Sequence, residues 1–354
     1  MVARLTVAGL DVTTSAVRAW VADVEGELLA EAVVALPMLR PPADRLELDP
    51  SAWEAACRSA LSQVVAGLPV DQLLGVTVST PRRGFVLLDA GGEVLGRGVL
   101  DGDRREGSML SQLLAVRAEE PDRWAATRRV LSLHDWLVWQ MAGVQVTEVS
   151  YACGTGLADV AARGWDRDLL AAHGLGVGLF APVVEAGALV GELGEGWGLP
   201  QWLPVVAGCG DVQLAVTGLG GLADGVLTID AGGPPGAQLA SAVPVGGPAV
   251  RVSTHAARGL WLMETDTDGA GPEGALVAVA RLEQALGRPA DAVVVRGSRV
   301  EAQSLSEALG RDVHLTSGAG AVPAAGAALV GRAVGAHAHL PALPKTLLHS
   351  TSER

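Results

Sequence analysis

Twice in this chain a strand-length apolar run ends in an aspartate and turns back on itself. The first run is Leu5-Thr-Val-Ala-Gly-Leu-Asp11 and the second is Val226-Leu-Thr-Ile-Asp230, with the two aspartates 219 positions apart. After the first, alternation of apolar and polar positions continues through Val17-Arg-Ala-Trp-Val-Ala-Asp23 and from Leu28 to Val34. Turns at Asp11-Val-Thr-Thr-Ser15 and Glu25-Gly26 separate these runs, so three successive antiparallel strands are predicted. After the second, Ala237 to Ala240 and Ala249-Val-Arg-Val-Ser253 repeat the plan. So long a spacing excludes a short-period solenoid and predicts two similar lobes.

The remaining segments alternate helix and strand signals. Asp49 as N-cap and Pro50 at the first helical position open a helix on which Trp53, Cys57, Leu61 and Val64 share a face. Leu74 to Ser79 and Phe85 to Asp89 read as strands, with Ala90-Gly-Gly92 as a turn. Residues 107 to 143 read as helical, the last helix starting at Ser132 and stopping at Gly143. His134 and Asp135 are adjacent on that helix, and adjacent positions do not face each other, which argues against a catalytic pair. Trp165-Asp-Arg-Asp-Leu-Leu170 reads as a short capped helix and 174 to 200 as a Gly-rich connection. In Leu203-Pro-Val-Val-Ala-Gly-Cys-Gly-Asp211 an apolar run breaks at Gly208 and Gly210 and delivers one carboxylate. Asp211 is there either an N-cap for the helix continued by Val212, Leu214, Ala215 and Leu219, or a group facing a cleft.

In the second half, Glu273 to Leu286, Glu301 to Leu309 and Val322 to Val334 read as helices, and Ala292-Val-Val-Val295 and Val313-His-Leu315 as strands. Domain limits are therefore expected at 1–224 and 225–336. Residues 337–354 read as a poorly ordered tail whose His337, His339 and His349 match no ordinary metal-ligand spacing.

Composition excludes several classes of function. The formal net charge is −13 and no basic cluster stands out, which argues against a nucleic-acid surface. No charge-free apolar run approaches the length of a membrane span, and the N-terminus runs into a strand pattern without a secretory layout, so a cytoplasmic protein is expected. Cys57, Cys153 and Cys209 are scattered and lack metal-ligand spacing, which reads as reduced structural thiols.

Two such lobes leave a cleft, and the first hairpin turn of each would point backbone N–H groups into it, a geometry suited to a nucleotide polyphosphate. Four stretches, Gly9–Ala19, Ala152–Asp159 with Trp165, Phe85–Leu95 with Asp103 and Arg105, and Pro204–Asp211, together resemble the FGGY carbohydrate kinases. Gly9-Leu-Asp-Val-Thr-Thr-Ser-Ala-Val-Arg-Ala19 is similar to the family's first phosphate loop, and Ala152-Cys-Gly-Thr-Gly-Leu-Ala-Asp159 with Trp165 to its Ala-Ser-Gly-Thr-Gly-Leu-Leu-Asp segment. Phe85-Val-Leu-Leu-Asp-Ala-Gly-Gly-Glu-Val-Leu95, followed by Asp103 and Arg105, is similar to the stretch with sugar contacts. Pro204-Val-Val-Ala-Gly-Cys-Gly-Asp211 is similar to the segment carrying the catalytic base.

The resemblance implies an α/β fold of two actin-like (ribonuclease H-like) lobes with a central cleft, here with the second lobe shortened. It implies ATP and Mg2+ as cofactors, a small-molecule sugar or polyol as substrate with xylulokinases as the nearest group, and allows a homodimer. Nucleic acid and membrane are not expected partners. By the same resemblance Asp211 is the base, Asp11 the Mg2+ ligand, and Thr13, Thr14, Gly232, Gly233 and Gly297 lie on the nucleotide side. Arg82, Arg83, Asp103 and Asp211 lie on the sugar side.

The departures from the family pattern are specific. The glycine after Asp-x in the first loop is Thr13, the second glycine is Ala16, and the usual lysine is Arg18. Thr80-Pro-Arg-Arg-Gly84 stands where sugar-binding members carry Gly-Gln-Met-His-Gly, and Asp101-Gly-Asp103 where they carry Trp-Asn-Asp. The second loop reads Gly232-Gly-Pro234 in place of Gly-Thr-Ser, losing a hydroxyl and one N–H donor, and the adenosine-side Gly-Gly-Gly is Arg296-Gly-Ser298. Three readings follow: a carbohydrate kinase of altered sugar specificity, a catalytically silent relative that acts as a small-molecule sensor or interaction protein, or a fold in which Asp11, Asp211 and Asp230 survive only as turn and cap residues.

Overall fold

A computed structural model describes residues 4–36, 46–100, 109–230, 236–266, 272–316, 318, 320–336, 341–342 and 344–349. By contact the chain divides into two compact units, Met1–Asp211 with Gly326–Ala338, and Val212–Ala325 with His339–Arg354.

The first unit is built on a six-stranded sheet. Its strands are β1 (Thr6–Val12), β2 (Ala16–Asp23), β3 (Leu28–Ala35), β4 (Leu73–Ser79), β5 (Leu189–Glu192) and β6 (Pro204–Val206), in the order β5-β6-β4-β1-β2-β3. The meander β1–β2–β3 is antiparallel, whereas β4 runs parallel to both β1 and β6. Parallel pairing needs a crossover, and α1 (Pro50–Val64) supplies the first one. Its start follows the sequence signal, since Asp49 accepts the Ser51 amide at 3.0 Å and Pro50 sits in the first turn. The helix buries Trp53, Cys57 and Leu61 in one core with Leu10, Val21 and Val78 of the sheet. At ~1.5–3 kcal/mol per large apolar side chain removed from water, this helix–sheet contact stabilises the unit.

The other face is shaped around Trp20, which is fully buried. A Cβ at Gly9 would fall 2.0 Å from its ring, and one at Gly326 in the helix Ala321–Ala333 would fall 2.4 Å from it. Both glycines are there for space, not for turn geometry.

A second, four-stranded sheet runs Leu46–Leu48, Gly98–Leu100, Gly84–Leu88, Arg129–Ser132. Its last strand corrects the expectation of continuous helix over 107–143. Helices Met109–Glu119 and Pro121–Ala126 end before it, and Leu133–Ala142 begins after it. Four residues with two buried apolar positions carry no period, so only their pairing with Gly84–Leu88 identifies them as a strand. The limits of the following helix do match the sequence signals: Ser132 Oγ accepts the Asp135 amide, and Gly143 closes it with φ 69°. The Gly-rich connection also holds short strands, Val183–Val184 and β5.

The second unit repeats the first sheet. Its strands are β7 (Val226–Asp230), β8 (Gly236–Ser241), β9 (Arg251–Thr254), β10 (Trp261–Asp266), β11 (Ala292–Arg296), β12 (Val313–Thr316) and β13 (Thr346–Leu348), in the order β9-β10-β8-β7-β11-β12-β13. The meander partner of β8 is β10, with Leu239 opposite Met263, and not the segment near 249–253 that the sequence pattern picks out. Glu264 and Thr265 interrupt the apolar run of β10 although both are buried, which hides it from a pattern search. Helices Pro272–Leu286 and Arg299–Leu309 complete the unit, the latter with a full capping box of Ser298 and Glu301. Part of the expected disordered tail is an edge strand: β13 pairs antiparallel with β12 and buries Leu348 in the core of Leu305 and Val313. His337 and His339 lie outside the described residues, and the exposed His349 ring sits 2.8 Å from Asp312. No helix among the described residues is long and apolar enough to cross a membrane.

Candidate active site

The sheet of the first unit delivers two carboxylates from separate elements. Asp11 stands near the end of β1, in register with Arg18 of β2 and Ser79 of β4. Asp211 opens the helix Asp211–Gly218 directly after the turn that follows β6. That turn lies flush on β4, because a Cβ at Gly208 would fall 1.8 Å from the Val78 carbonyl oxygen. Sites at the carboxyl ends of parallel strands are the common place for ligands in α/β sheets, and here β1, β4 and β6 end together.

Burial pushes the Asp11 carboxyl up to about 6, the negative charge of Asp211 adds to the rise, and Arg18 opposes it. A carboxyl whose ionisation is opposed by burial and by a neighbouring negative charge is one that a bound cation relieves. Arg82, with its side chain 18% exposed, reaches from the turn after β4 to place Nε 3.9 Å from Asp211 Oδ1. Asp211 itself is 53% exposed, so its carboxylate is accessible to a ligand as well as to Arg82. The structure thus brings together Asp11, Asp211 and Arg82. Arg83 is exposed on the same turn.

The nucleotide-side expectations fare differently. Thr13 Oγ1 accepts the amides of Ser15 (3.3 Å) and Ala16 (3.1 Å) and donates to the Ala16 carbonyl (3.0 Å). The first hairpin turn therefore closes on a threonine hydroxyl, and these two amides do not project outward as expected. Thr14, in the same turn, is half-buried. Gly297 donates its amide to the Thr316 carbonyl at 3.0 Å, continuing the ladder between β11 and β12. Gly232, Gly233 and Asp103 lie outside the described residues.

Behind Asp211 is a polar layer built on the short helix Val149–Gly154. The Tyr151 hydroxyl accepts the Thr80 amide at 2.8 Å and lies 3.1 Å from the carbonyl oxygens of both Thr80 and Cys209. Ser150 Oγ accepts the Gly210 amide at 2.9 Å and donates to Glu148. Glu148 is fully buried, and burial pushes its carboxyl up to about 8, against the hydrogen bonds from Ser150. The His134 ring stacks on Tyr151 with centroids 4.3 Å apart, and His134 Nδ1 lies 3.0 Å from Asp135 Oδ1. Those two neighbours do meet, contrary to the helical-spacing argument, because both are buried in the first turn and fold toward each other. Cys209 is buried and its thiol is pushed up by that burial, which fits a packing role. Among the described residues no cluster of three or more His, Cys, Asp or Glu is arranged as a metal cage.

A profile of the FGGY family of carbohydrate kinases, N-terminal domain, matches residues 6–115 and 105–218. The chain belongs to the FGGY family of carbohydrate kinases. Among characterised relatives it is similar to the autoinducer-2 kinase of Salmonella typhimurium, 29% identical over 248 residues, covering 60% of this chain and 46% of that one. It is also similar to the xylulose kinase of Bacillus subtilis, 27% identical over 250 residues, 62% of this chain and 50% of the relative. The chain thus spans about half the length of the curated relatives it matches. In fold it matches the crystal structure of a xylulose kinase from Rhodospirillum rubrum, with a TM-score of 0.85 at 18% identity over 98% of this chain and 94% of that one. The fold is therefore the actin-like, ribonuclease H-like two-lobe α/β fold of this family.

Sequence reasoning did not single out Tyr151, Ser150 or Glu148. One signal was present: Tyr151 is the only tyrosine in the chain, directly beside the segment that begins at Ala152. Its partners are backbone groups 71 and 58 positions away, which no local pattern encodes.

Proposed function

We propose that this protein is an ATP-dependent carbohydrate kinase in which Asp211 is the general base that accepts the proton of the attacking sugar hydroxyl. The observation that supports this best is the meeting of Asp211, Asp11 and Arg82 at the carboxyl ends of β1, β4 and β6. Phosphoryl transfer needs little covalent chemistry from the protein and depends on positioning and charge neutralisation. A half-exposed carboxylate can take a proton from a hydroxyl within hydrogen-bond reach, and the Arg82 guanidinium beside it can orient that hydroxyl's neighbours.

Asp11 fits a Mg2+ role by its chemistry, since Mg2+ takes one or two carboxylates and otherwise water and phosphate oxygens. Such an ion, held by Asp11, would neutralise negative charge on the transferred group. By the family resemblance alone, Thr13, Thr14, Gly232, Gly233 and Gly297 are proposed for the nucleotide and Arg82, Arg83 and Asp103 for the sugar. The names of the relatives suggest two acceptors to try first, xylulose and autoinducer-2.

The test is coupled ADP release over ketopentoses, pentitols, hexuloses, glycerol and autoinducer-2, with Asp211→Asn and Asp11→Asn as controls. Acceptor-stimulated turnover that falls by ~10²–10⁴-fold in Asp211→Asn is expected from loss of a general base. Turnover that survives Asp211→Asn unchanged rules out the base assignment, and no turnover with any acceptor favours the silent reading.

A further inference from the structure

We infer that the helix Val149–Gly154 is the positioning element of the site: Tyr151 and Ser150 clamp the Arg82 turn and the Asp211 turn to one another. Three hydrogen-bond contacts carry this inference. The Tyr151 hydroxyl bonds the Thr80 amide, two residues before Arg82, and reaches the Cys209 carbonyl, two residues before Asp211. Ser150 Oγ takes the Gly210 amide, one residue before Asp211. The helix also ends against the Arg82 backbone, since a Cβ at Gly154 would lie 3.1 Å from the Arg82 carbonyl oxygen. One helical turn therefore contacts both loops whose side chains meet at 3.9 Å.

The clamp lies in the interior. Thr80, Ser150, Tyr151 and Cys209 are buried, and water does not replace a lost partner there without cost. Tyr151 is held in turn by the face of His134, and Ser150 by Glu148. Tyr151 and Ser150 are positioning residues, acting on the acceptor through Asp211 and Arg82. This role rests on the reading of Asp211 as the base.

The experiment uses the full chain with Tyr151→Phe, Ser150→Ala and Ser150→Thr. Tyr151→Phe keeps the ring stack and removes only the hydroxyl, while Ser150→Thr keeps an oxygen for the Gly210 amide. Two readouts are taken. Hydrogen–deuterium exchange is expected to rise in peptides covering 79–84 and 207–212 for Tyr151→Phe and Ser150→Ala, and to stay unchanged in 50–64. In turnover, kcat is expected to fall ~10–100-fold in these two variants, with KM for ATP within about 2-fold and Ser150→Thr close to wild type, as for a small displacement of catalytic groups.

Unchanged exchange in both turns overturns the clamp. Raised exchange with unchanged kcat overturns its positioning role. If Tyr151→Phe fails to fold, the Ser150 pair decides by the same readouts. Wild-type protein without turnover, but with the local exchange response, sinks the kinase reading and reduces the clamp to a structural brace.

Discussion

Asp11 and Asp230 occupy the same place in two sheets of the same order and carry different chemistry. The residue beside Asp11 on the parallel neighbour is Ser79, whereas the residue beside Asp230 is Arg296, whose guanidinium pairs with it. Asp230 is thus paired in place, whereas Asp11 feels the negative charge of Asp211 and is offset only in part by Arg18. A repeated aspartate does not make a repeated site. Glu148 shows the same dependence on surroundings. Its carboxyl is raised to about 8 from an ordinary 4.5, chiefly by burial, with Asp135 and Glu185 adding repulsion. Between those two values the native state holds a proton that the unfolded chain releases. Stability should therefore fall as pH rises through that window, by up to ~1.4 kcal/mol per pH unit, and level off above it. Glu148→Gln should weaken this dependence, leaving below about 6 the part that Asp11 contributes. Urea midpoints at several pH values between about 5 and 8 check it, and a wild-type curve as flat as the variant's would contradict it.

At the scale of elements, packing overrides propensity. Gly326 sits inside the helix Ala321–Ala333, where alanine is ordinarily the better residue by ~1 kcal/mol. Here the added methyl would fall 2.4 Å from the Trp20 ring, which β2 holds fully buried between Gly9 and this helix. Gly326→Ala is therefore expected to destabilise by ~1–3 kcal/mol, the range for overpacking a tight core. Thermal unfolding of the variant is the measurement, and a higher Tm would show that the ring has room to move. The short helix Val149–Gly154 makes a related point. Six residues have little helical stability alone, and its limits are set by Glu148, which accepts the Ser150 amide, and by its contacts with the Thr80 and Cys209 turns.

At the scale of the molecule, the two sheets share the order of six strands, the second adding β9 at one edge, and reach it by different chain paths. The last strand, antiparallel to its neighbour, precedes that neighbour in the first sheet (β5 before β6) and follows it in the second (β13 after β12). That makes the second sheet depend on residues near the end of the chain. Removing residues 346–354 deletes an edge strand and a buried leucine, and is expected to cost ~2–4 kcal/mol. Denaturant unfolding of the shortened chain, against a Leu348→Ala variant as the milder control, measures it. The sequence by itself determined the doubled plan, the hairpins after Asp11 and Asp230, the caps at Asp49, Ser132 and Gly143, and the family, because these rest on short-range periodicity, turn chemistry and motif spacing. Only the tertiary structure decided that residues 129–132 and 261–266 are strands and that Asp11 and Asp230 differ. It alone showed that Arg82 meets Asp211, and that a buried tyrosine ties their turns together. Those features depend on what a residue meets from a distant part of the chain, and burial, register and charge compensation are properties of that meeting.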